Sequence, residues 1–290
     1  NCNFMPHASW TPDFETLKTQ FDFTIAEDIG DGDHSALSSI PSEQRGKAQL
    51  IIKENGVFAG GALAAYLFKY IDATATVKHF IEDGALVEKG TLALIVEGNA
   101  IKLLQSERLV LNYLQRLSGI ATRTYSYARL IDHTKCTVLD TRKTTPGLRV
   151  LEKWAVALGG GGNHRMGLYD MVMLKDNHID FAGGISKAVA RTKAYLAQSN
   201  RTLAIEVETR NMQEVSAAIQ AGVDRIMLDN FSISETKEAV EYIAGRTEVE
   251  SSGGITHDTL VPYAECGVDF ISVGALTHHI KGLDMSLKAL

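Results

Sequence analysis

From residue 137 onward, short apolar runs recur, and nearly every one ends in a charged or glycine-rich cluster. Thr137-Val138-Leu139 leads into Asp140-Thr141-Arg142-Lys143, and Met171-Val172-Met173-Leu174 into Lys175-Asp176-Asn177-His178. Leu203-Ala204-Ile205 leads into Glu206-Val207-Glu208, and Ile226-Met227-Leu228 into Asp229-Asn230. Glu248-Val249-Glu250 runs into Ser251-Ser252-Gly253-Gly254, and Phe270-Ile271-Ser272-Val273 into Gly274. Between these runs, residues 186–197, 211–221, 234–244 and 256–266 read as helical segments. Strand–helix alternation predicts a parallel sheet. Successive strand ends lie about 34, 33, 21, 22 and 23 residues apart, the length of a βα unit. In a barrel of parallel strands all strand C-termini share one face, and that face carries the chemistry. The same pattern therefore predicts an α/β barrel and the place of its site.

The first 130 residues read differently. Thr11-Pro12-Asp13 has the order of an N-cap, a proline at the first helical position and an acid in the first turn, with Phe14, Leu17 and Phe21 at helical spacing behind it. Residues 26–34 are acidic and contain glycine, which predicts a loop. Residues 47–58 and 75–97 predict strands, the second stretch forming a hairpin with glycine at its corners. That hairpin superficially resembles a biotinyl or lipoyl carrier module, but no Met-Lys-Met is present and no turn offers a lysine for modification. Ile101 to Leu130 predicts a long helix with a leucine face, and Gly119 a break in it and a domain boundary.

Composition narrows the function classes. The 290 residues are 45% hydrophobic, enough for a normal core, and a net charge of −6 argues against nucleic-acid binding. An anionic ligand must then be held by a local cluster of Arg and Lys. Cys2, Cys136 and Cys266 form no C-x-x-C pair or zinc spacing, which points to a reducing cytosol and a cytoplasmic protein. No run of about 18 apolar residues suggests a membrane span. The start, Asn1-Cys2-Asn3-Phe4, lacks the basic region of a signal peptide and reads as processed or as a remnant. No G-x-G-x-x-G fingerprint follows a strand, so a Rossmann reading loses ground.

Candidate chemistry falls at the strand ends. Arg142, Lys143, Arg149, Arg165 and Lys175, with His164 and His178, concentrate positive charge within about 40 residues. A solvated basic surface is the plain alternative, but Arg142-Lys143 and Lys175 directly follow apolar runs. Arg grips carboxylate or phosphate bidentately, so the ligand implied carries more than one negative group. Glu206 and Glu208 lie two apart on one strand and share a face. A carboxylate facing a barrel interior has to meet a cation. Glu208 and Asp229, on adjacent strand tips, suit Mg²⁺ that also touches phosphate, or else a salt bridge to the neighbouring cations. Ser252-Gly253-Gly254 and Gly274 place backbone N–H groups where barrels bind phosphate, with His278 as a further donor or a packing residue. Gly159 to Gly162 lacks a G-K-[ST] ending and reads as a turn presenting Asn163-His164-Arg165. Asp140 reads as structural, and Trp10 and Trp154 as packing residues. An aldolase-like barrel with Lys143 or Lys175 as a Schiff-base lysine is a competing reading.

These motifs resemble one family. Residues 140–149 (Asp-Thr-Arg-Lys-Thr-Thr-Pro-Gly-Leu-Arg), Gly160-Gly161-Gly162-Asn163-His164-Arg165 and Leu174-Lys175-Asp176-Asn177-His178 are similar to quinolinate phosphoribosyltransferase (nicotinate-nucleotide pyrophosphorylase, decarboxylating). The likeness continues at Glu206-Val207-Glu208, Leu228-Asp229-Asn230, Ser252-Gly253-Gly254-Ile255 and residues 273–278. In the first part of the chain it covers residues 26–33, Ser106-Glu107-Arg108 and residues 117–122. A paralogous branch associated with molybdate-transport operons shares the fold and most of these motifs. The resemblance implies an N-terminal α/β sandwich domain over residues 1–119 and an incomplete, open α/β barrel of parallel strands over 120–278. It implies a segment 279–290 that packs back on the first domain. It implies phosphoribosyl transfer from 5-phosphoribosyl 1-pyrophosphate to quinolinate with decarboxylation, Mg²⁺, and a homodimer or larger assembly. Thr141, Arg142, His164, Arg165 and Lys175 would line the quinolinate pocket, with Lys143 between it and the donor. Arg108 would enter from the partner subunit. Glu208 and Asp229 would face ribose and Mg²⁺, and Ser252, Gly253, Gly254, Gly274 and His278 the phosphate.

Overall fold

The computed structural model describes residues 10–290. The chain runs through α1 (Lys18–Ile29), α2 (His34–Ser39), β1 (Arg45–Ile52), β2 (Gly56–Val57), α3 (Gly61–Ile71), β3 (Thr76–His79), β4 (Leu86–Val87), β5 (Leu92–Asn99) and α4 (Ala100–Leu130). It continues through β6 (Thr137–Leu139), α5 (Arg149–Leu158), β7 (Val172–Leu174), α6 (Asp176–Ala182), α7 (Ile185–Gln198), β8 (Ile205–Thr209) and α8 (Met212–Ala221). It ends with β9 (Arg225–Asp229), α9 (Ile233–Ile243), β10 (Glu248–Ser252), α10 (Leu260–Glu265), β11 (Phe270–Ser272), α11 (Ala275–His278) and β12 (Met285–Ala289). Two compact units result. Among the described residues, one holds 10–125 together with Thr145–Gly160 and His279–Leu290; the other holds Ser126–Thr144 and Gly161–His278. The sequence-based divisions at 119/120 and 278/279 differ from this partition in giving 120–125 and 145–160 to the barrel. The processed-terminus expectation and Cys2 lie outside the described residues.

The first unit is an antiparallel sheet in the order β12-β1-β5-β3, with a two-stranded β2-β4 pair and helices. Alternation along β1 buries Ala48, Leu50 and Ile52, and the chain's last strand pairs with β1 from Ala48↔Ala289 to Ile52↔Met285. Asp13, rather than Thr11, is the N-cap: its side chain accepts from the Glu15 amide at the head of a 3₁₀ turn, Phe14–Leu17, that precedes α1. Residues 26–29, expected as loop, are the last turn of α1, which ends only at Gly30 with φ +57°. The hairpin corner that resembled a carrier module has a structural role. Asp83 accepts from the amides of Gly60, Gly61 and Ala62 at 2.6, 2.7 and 3.0 Å and so caps α3. Nor does Gly119 break α4, which is continuous to Leu130. A Cβ there would collide with the Lys281 carbonyl oxygen, so the glycine lets the 280–282 segment pass against the helix.

The second unit carries six parallel strands in the order β6-β11-β10-β9-β8-β7. Its edge strands, β6 and β7, are consecutive in sequence, so the sheet is an open barrel rather than a closed one. Val207, Ile226, Leu228, Val249 and Ile271 alternate with the inward positions and are buried toward the helices. The inward positions are mostly polar: Glu206 and Glu208 on β8, Arg225 and Asp229 on β9 with Met227 between them, Glu248, Glu250 and Ser252 on β10. The register aligns them in layers, pairing Glu248 with Arg225, Glu250 with Met227 and Ser252 with Asp229. A barrel interior is ordinarily filled with branched apolar side chains. Polar residues in this one mark where the sequence serves chemistry rather than packing.

Candidate active site

A cavity of about 580 Å³ opens at the C-terminal ends of the parallel strands. Every predicted site residue except Arg108 lines it: Thr141, Arg142 and Lys143 after β6, His164 and Arg165, Lys175 after β7, Glu208 on β8, Asp229 on β9, Ser252-Gly253-Gly254 after β10, and Gly274 and His278 after β11. Arg108 is exposed on α4, in the other unit. Glu206 and Glu208 lie two apart within one strand, as expected, because β8 extends from Ile205 to Thr209. Arg149 begins α5 in the other unit, and His178 is used locally, its Nδ1 accepting from the Lys175 amide at 3.0 Å.

One side of the cavity is cationic. Thr141 Oγ accepts from the Lys143 amide at 3.0 Å, and the Lys143 carbonyl accepts from Thr277 Oγ at 2.9 Å, which pins the Arg142-Lys143 turn. Arg165 is 8% exposed, and its guanidinium donates to the Met171 carbonyl at 3.3 Å. Burial, and then the nearby positive charge of Arg142, lower its hold on its proton. Two guanidiniums kept close, that of Arg165 buried and that of Arg142 exposed, form a receptor for a dianion, whose binding relieves their repulsion.

The opposite side is anionic. Lys175 Nζ lies 2.9 Å from Glu208, the salt bridge weighed in the sequence. A Schiff-base lysine is one desolvated in an apolar pocket or set beside another cation. Lys175 is about half exposed and paired with a carboxylate, so the aldolase-like reading has no support at this residue. Among the described residues Asp229 forms no salt bridge: burial, and then the charge of Glu208, outweigh the nearby Lys175 and push its carboxyl above the usual range. Asn230, with φ +57°, donates to Asp229 at 2.9 Å and fixes its orientation. The two carboxylates are oxygen donors in mutual repulsion at the mouth of a cavity, a setting that fits a hard cation.

The third side is the glycine turn. Gly253 has φ +102°, and a Cβ there would collide with the Asn230 side-chain oxygen. Only glycine lets the turn after β10 pass so close to the residue that holds Asp229.

Behind the lining residue His164 lies a buried cluster that the sequence reading left out. His164 is buried, with Nε2 at 3.2 Å from Glu206 and 3.4 Å from Glu250. Arg225 reaches Glu250 at 3.3 Å and Glu248 at 2.9 Å, and its guanidinium lies 3.9 Å over the Phe270 ring. Burial works against charge on His164, but the charge of Glu250 and hydrogen bonding to both glutamates outweigh it and raise the ring's hold on a proton. Against this, the Arg165 amide donates to Nδ1 at 2.7 Å, a bond the doubly protonated ring would lose; it opposes a second proton and keeps the single ring hydrogen on Nε2, between the carboxylates. Asp140 is structural, as expected: it accepts from the His164 amide at 2.9 Å and from Asn163 at 2.7 Å. The signal for this cluster was the period-two pairs of glutamates on β8 and β10; the requirement that an inward carboxylate on β8 meet a cation pointed toward it, but pairing Glu208 with Asp229 for metal and taking Glu248 and Glu250 as a strand end obscured the rest.

An open parallel barrel with cations, paired carboxylates and a glycine turn at its strand ends defines an anion-handling enzyme of the α/β class, one equipped for phosphate and for a polyanionic co-substrate. The family model for the C-terminal domain of quinolinate phosphoribosyl transferase matches residues 120–288, and that for its N-terminal domain residues 24–118. The chain belongs to the quinolinate phosphoribosyltransferase family. It is 47% identical over 288 residues to a chloroplastic carboxylating nicotinate-nucleotide pyrophosphorylase of Oryza sativa subsp. japonica, covering 94% of this chain and 77% of the relative. It is 43% identical to a mitochondrial decarboxylating quinolinate phosphoribosyltransferase of Nicotiana glauca, covering 94% of this chain and 82% of that one. The crystal structure of NadC from Streptococcus pyogenes superimposes with a TM-score of 0.92 at 38% identity, covering 97% of this chain and all of that one.

Proposed function

We propose that the chain transfers the phosphoribosyl group of 5-phosphoribosyl 1-pyrophosphate to quinolinate with loss of CO₂, giving nicotinate mononucleotide and pyrophosphate for NAD biosynthesis. The observation that carries this reading is the division of one cavity into a cationic, an anionic and a glycine-rich side.

Arg142 and Arg165 take the two carboxylates of quinolinate, with Thr141, His164 and Lys175 completing the pocket. They hold the ring nitrogen in line with the donor, which brings the reacting atoms near contact. Lys143 stands between the ring and the donor. Ser252, Gly253, Gly254, Gly274 and His278 take phosphate through backbone N–H groups and side-chain donors. Glu208 and Asp229 face the ribose and would hold Mg²⁺, partly through water or substrate. When bound, Mg²⁺ neutralises charge on the departing pyrophosphate. The bond from ring nitrogen to ribose forms as the bond to pyrophosphate breaks, and Glu208 and Asp229 offset the positive charge that develops on the ribose carbon. The ring is then a pyridinium. Its adjacent carbon loses CO₂, keeps the electron pair beside the positive nitrogen, and takes a proton from solvent. No covalent nucleophile is required.

The assembly is a homodimer or larger, with Arg108 of each subunit completing the site of its partner. Among the described residues no helix is long and apolar enough to cross a membrane. Sparse thiols, with Cys136 buried and unpaired, support a reducing, cytoplasmic compartment, while two plant relatives bear chloroplastic and mitochondrial designations. Arg165→Ala tests the pocket: kcat/KM for quinolinate should fall by at least about 100-fold, with the fold intact by circular dichroism. Normal turnover in that variant would contradict the assignment.

A further inference from the structure

The segment Asn163-His164-Arg165 is clamped from two sides. Asp140 holds it through the His164 amide and the Asn163 side chain. The His164 ring holds it from within, because Nδ1 accepts from the Arg165 amide at 2.7 Å. That bond requires a lone pair on Nδ1, so the ring hydrogen sits on Nε2, facing Glu206 at 3.2 Å and Glu250 at 3.4 Å. Both glutamates are fully buried, and Glu250 is fixed in turn by Arg225. The ring is therefore oriented by its far nitrogen, and its near nitrogen sets the backbone at Arg165.

We infer that Glu206 and Glu250 are positioning residues, which act through the His164 ring to fix the main chain at Arg165 and aim its guanidinium at a carboxylate of the substrate. The inference rests on the reading of Arg165 as a quinolinate ligand. The same three side chains have the composition of a cation site, with donor atoms within 4.8 Å of one another. However, an Nε2 that carries hydrogen has no lone pair for a metal, and Glu250 is already engaged by Arg225.

Two variants separate positioning from packing. Glu206→Gln keeps an acceptor oxygen for the ring, whereas Glu206→Leu keeps the bulk and removes it. Losing one such polar contact corresponds to roughly a tenfold effect. Glu206→Leu should raise the KM for quinolinate by about that factor and leave the KM for 5-phosphoribosyl 1-pyrophosphate within about twofold. Glu206→Gln should restore the quinolinate KM to within about threefold of wild type. A folded Glu206→Leu protein with an unchanged quinolinate KM overturns the inference, and so does an equal rise in both KM values. Arg165→Ala is measured alongside. An unchanged quinolinate KM there overturns the reading of Arg165 itself; a raised one, beside an unchanged value in Glu206→Leu, overturns only the positioning role. Should Glu206→Leu fail to fold, the wild-type protein labelled with ¹⁵N-histidine decides. One buried ring with a bare Nδ1 and a protonated Nε2 is expected, and a ring protonated at both nitrogens, or a metal ion retained by the dialysed protein, is the contrary result.

Discussion

At the scale of single residues the site is built from charges that the fold holds at some cost, and Asp229 is the plainest instance. Burial and the charge of Glu208 push its carboxyl above the usual range, so the folded chain holds a proton there more tightly than the unfolded chain does. The sign follows. Below the ordinary carboxylate pKa this group does not disturb stability; as pH rises through the ordinary value toward the raised one, folding loses free energy, and the loss persists at neutral pH. Asp229→Asn should therefore raise the melting midpoint of the metal-free protein at pH 7, on the order of a degree or two for so partly exposed a group. It should also abolish turnover. Because a divalent cation competes with that proton, apparent Mg²⁺ affinity should weaken as pH falls into the raised range, measurable by titration calorimetry. Unchanged Mg²⁺ affinity in Asp229→Asn would remove this residue from the metal site.

At the scale of elements, glycines and register decided what the sequence could disclose. The six parallel strands were legible because short apolar runs ended in charged or glycine clusters, and their tips were legible as a site because those clusters have nothing to do with packing. Local turn grammar was less informative. Residues 26–29 look like loop by composition, yet α1 has no reason to stop before Gly30. Gly119 looks like a break, yet its role depends on the 280–282 segment, about 160 residues further along the chain. Helix propensity alone predicts that Gly119→Ala gains roughly 1 kcal/mol. The contact with the Lys281 carbonyl predicts a loss of about 1–3 kcal/mol by overpacking, read from the urea midpoint. The buried cluster of His164, Glu206, Glu250 and Arg225 was the least legible feature, since it joins residues from four separate stretches. Its only local trace is charge on alternate positions of strands that face inward.

At the scale of the whole molecule, the cavity lies within one unit, while the arginine that the family resemblance adds to it lies in the other, exposed on α4. If Arg108 serves a partner subunit, variants defective in different units should repair each other. Arg108→Ala and Arg165→Ala, each nearly inactive, should regain activity when unfolded, mixed and refolded together, to about a quarter of the wild-type level for random pairing in a dimer. Absence of any recovery, with mixed dimers demonstrated by mass, would place Arg108 outside the exchanged site. Such recovery would make the site a property of the assembly rather than of one chain.

The central claim is decarboxylating transfer to a pyridine dicarboxylate, and one assay addresses it without any variant. The purified protein is incubated with Mg²⁺, 5-phosphoribosyl 1-pyrophosphate and quinolinate carrying ¹³C in the carboxylate next to the ring nitrogen. Labelled CO₂ and nicotinate mononucleotide should appear in equal amounts, with nicotinate inert as the control substrate. Mononucleotide formed from nicotinate, or no labelled CO₂ from quinolinate, would contradict the account.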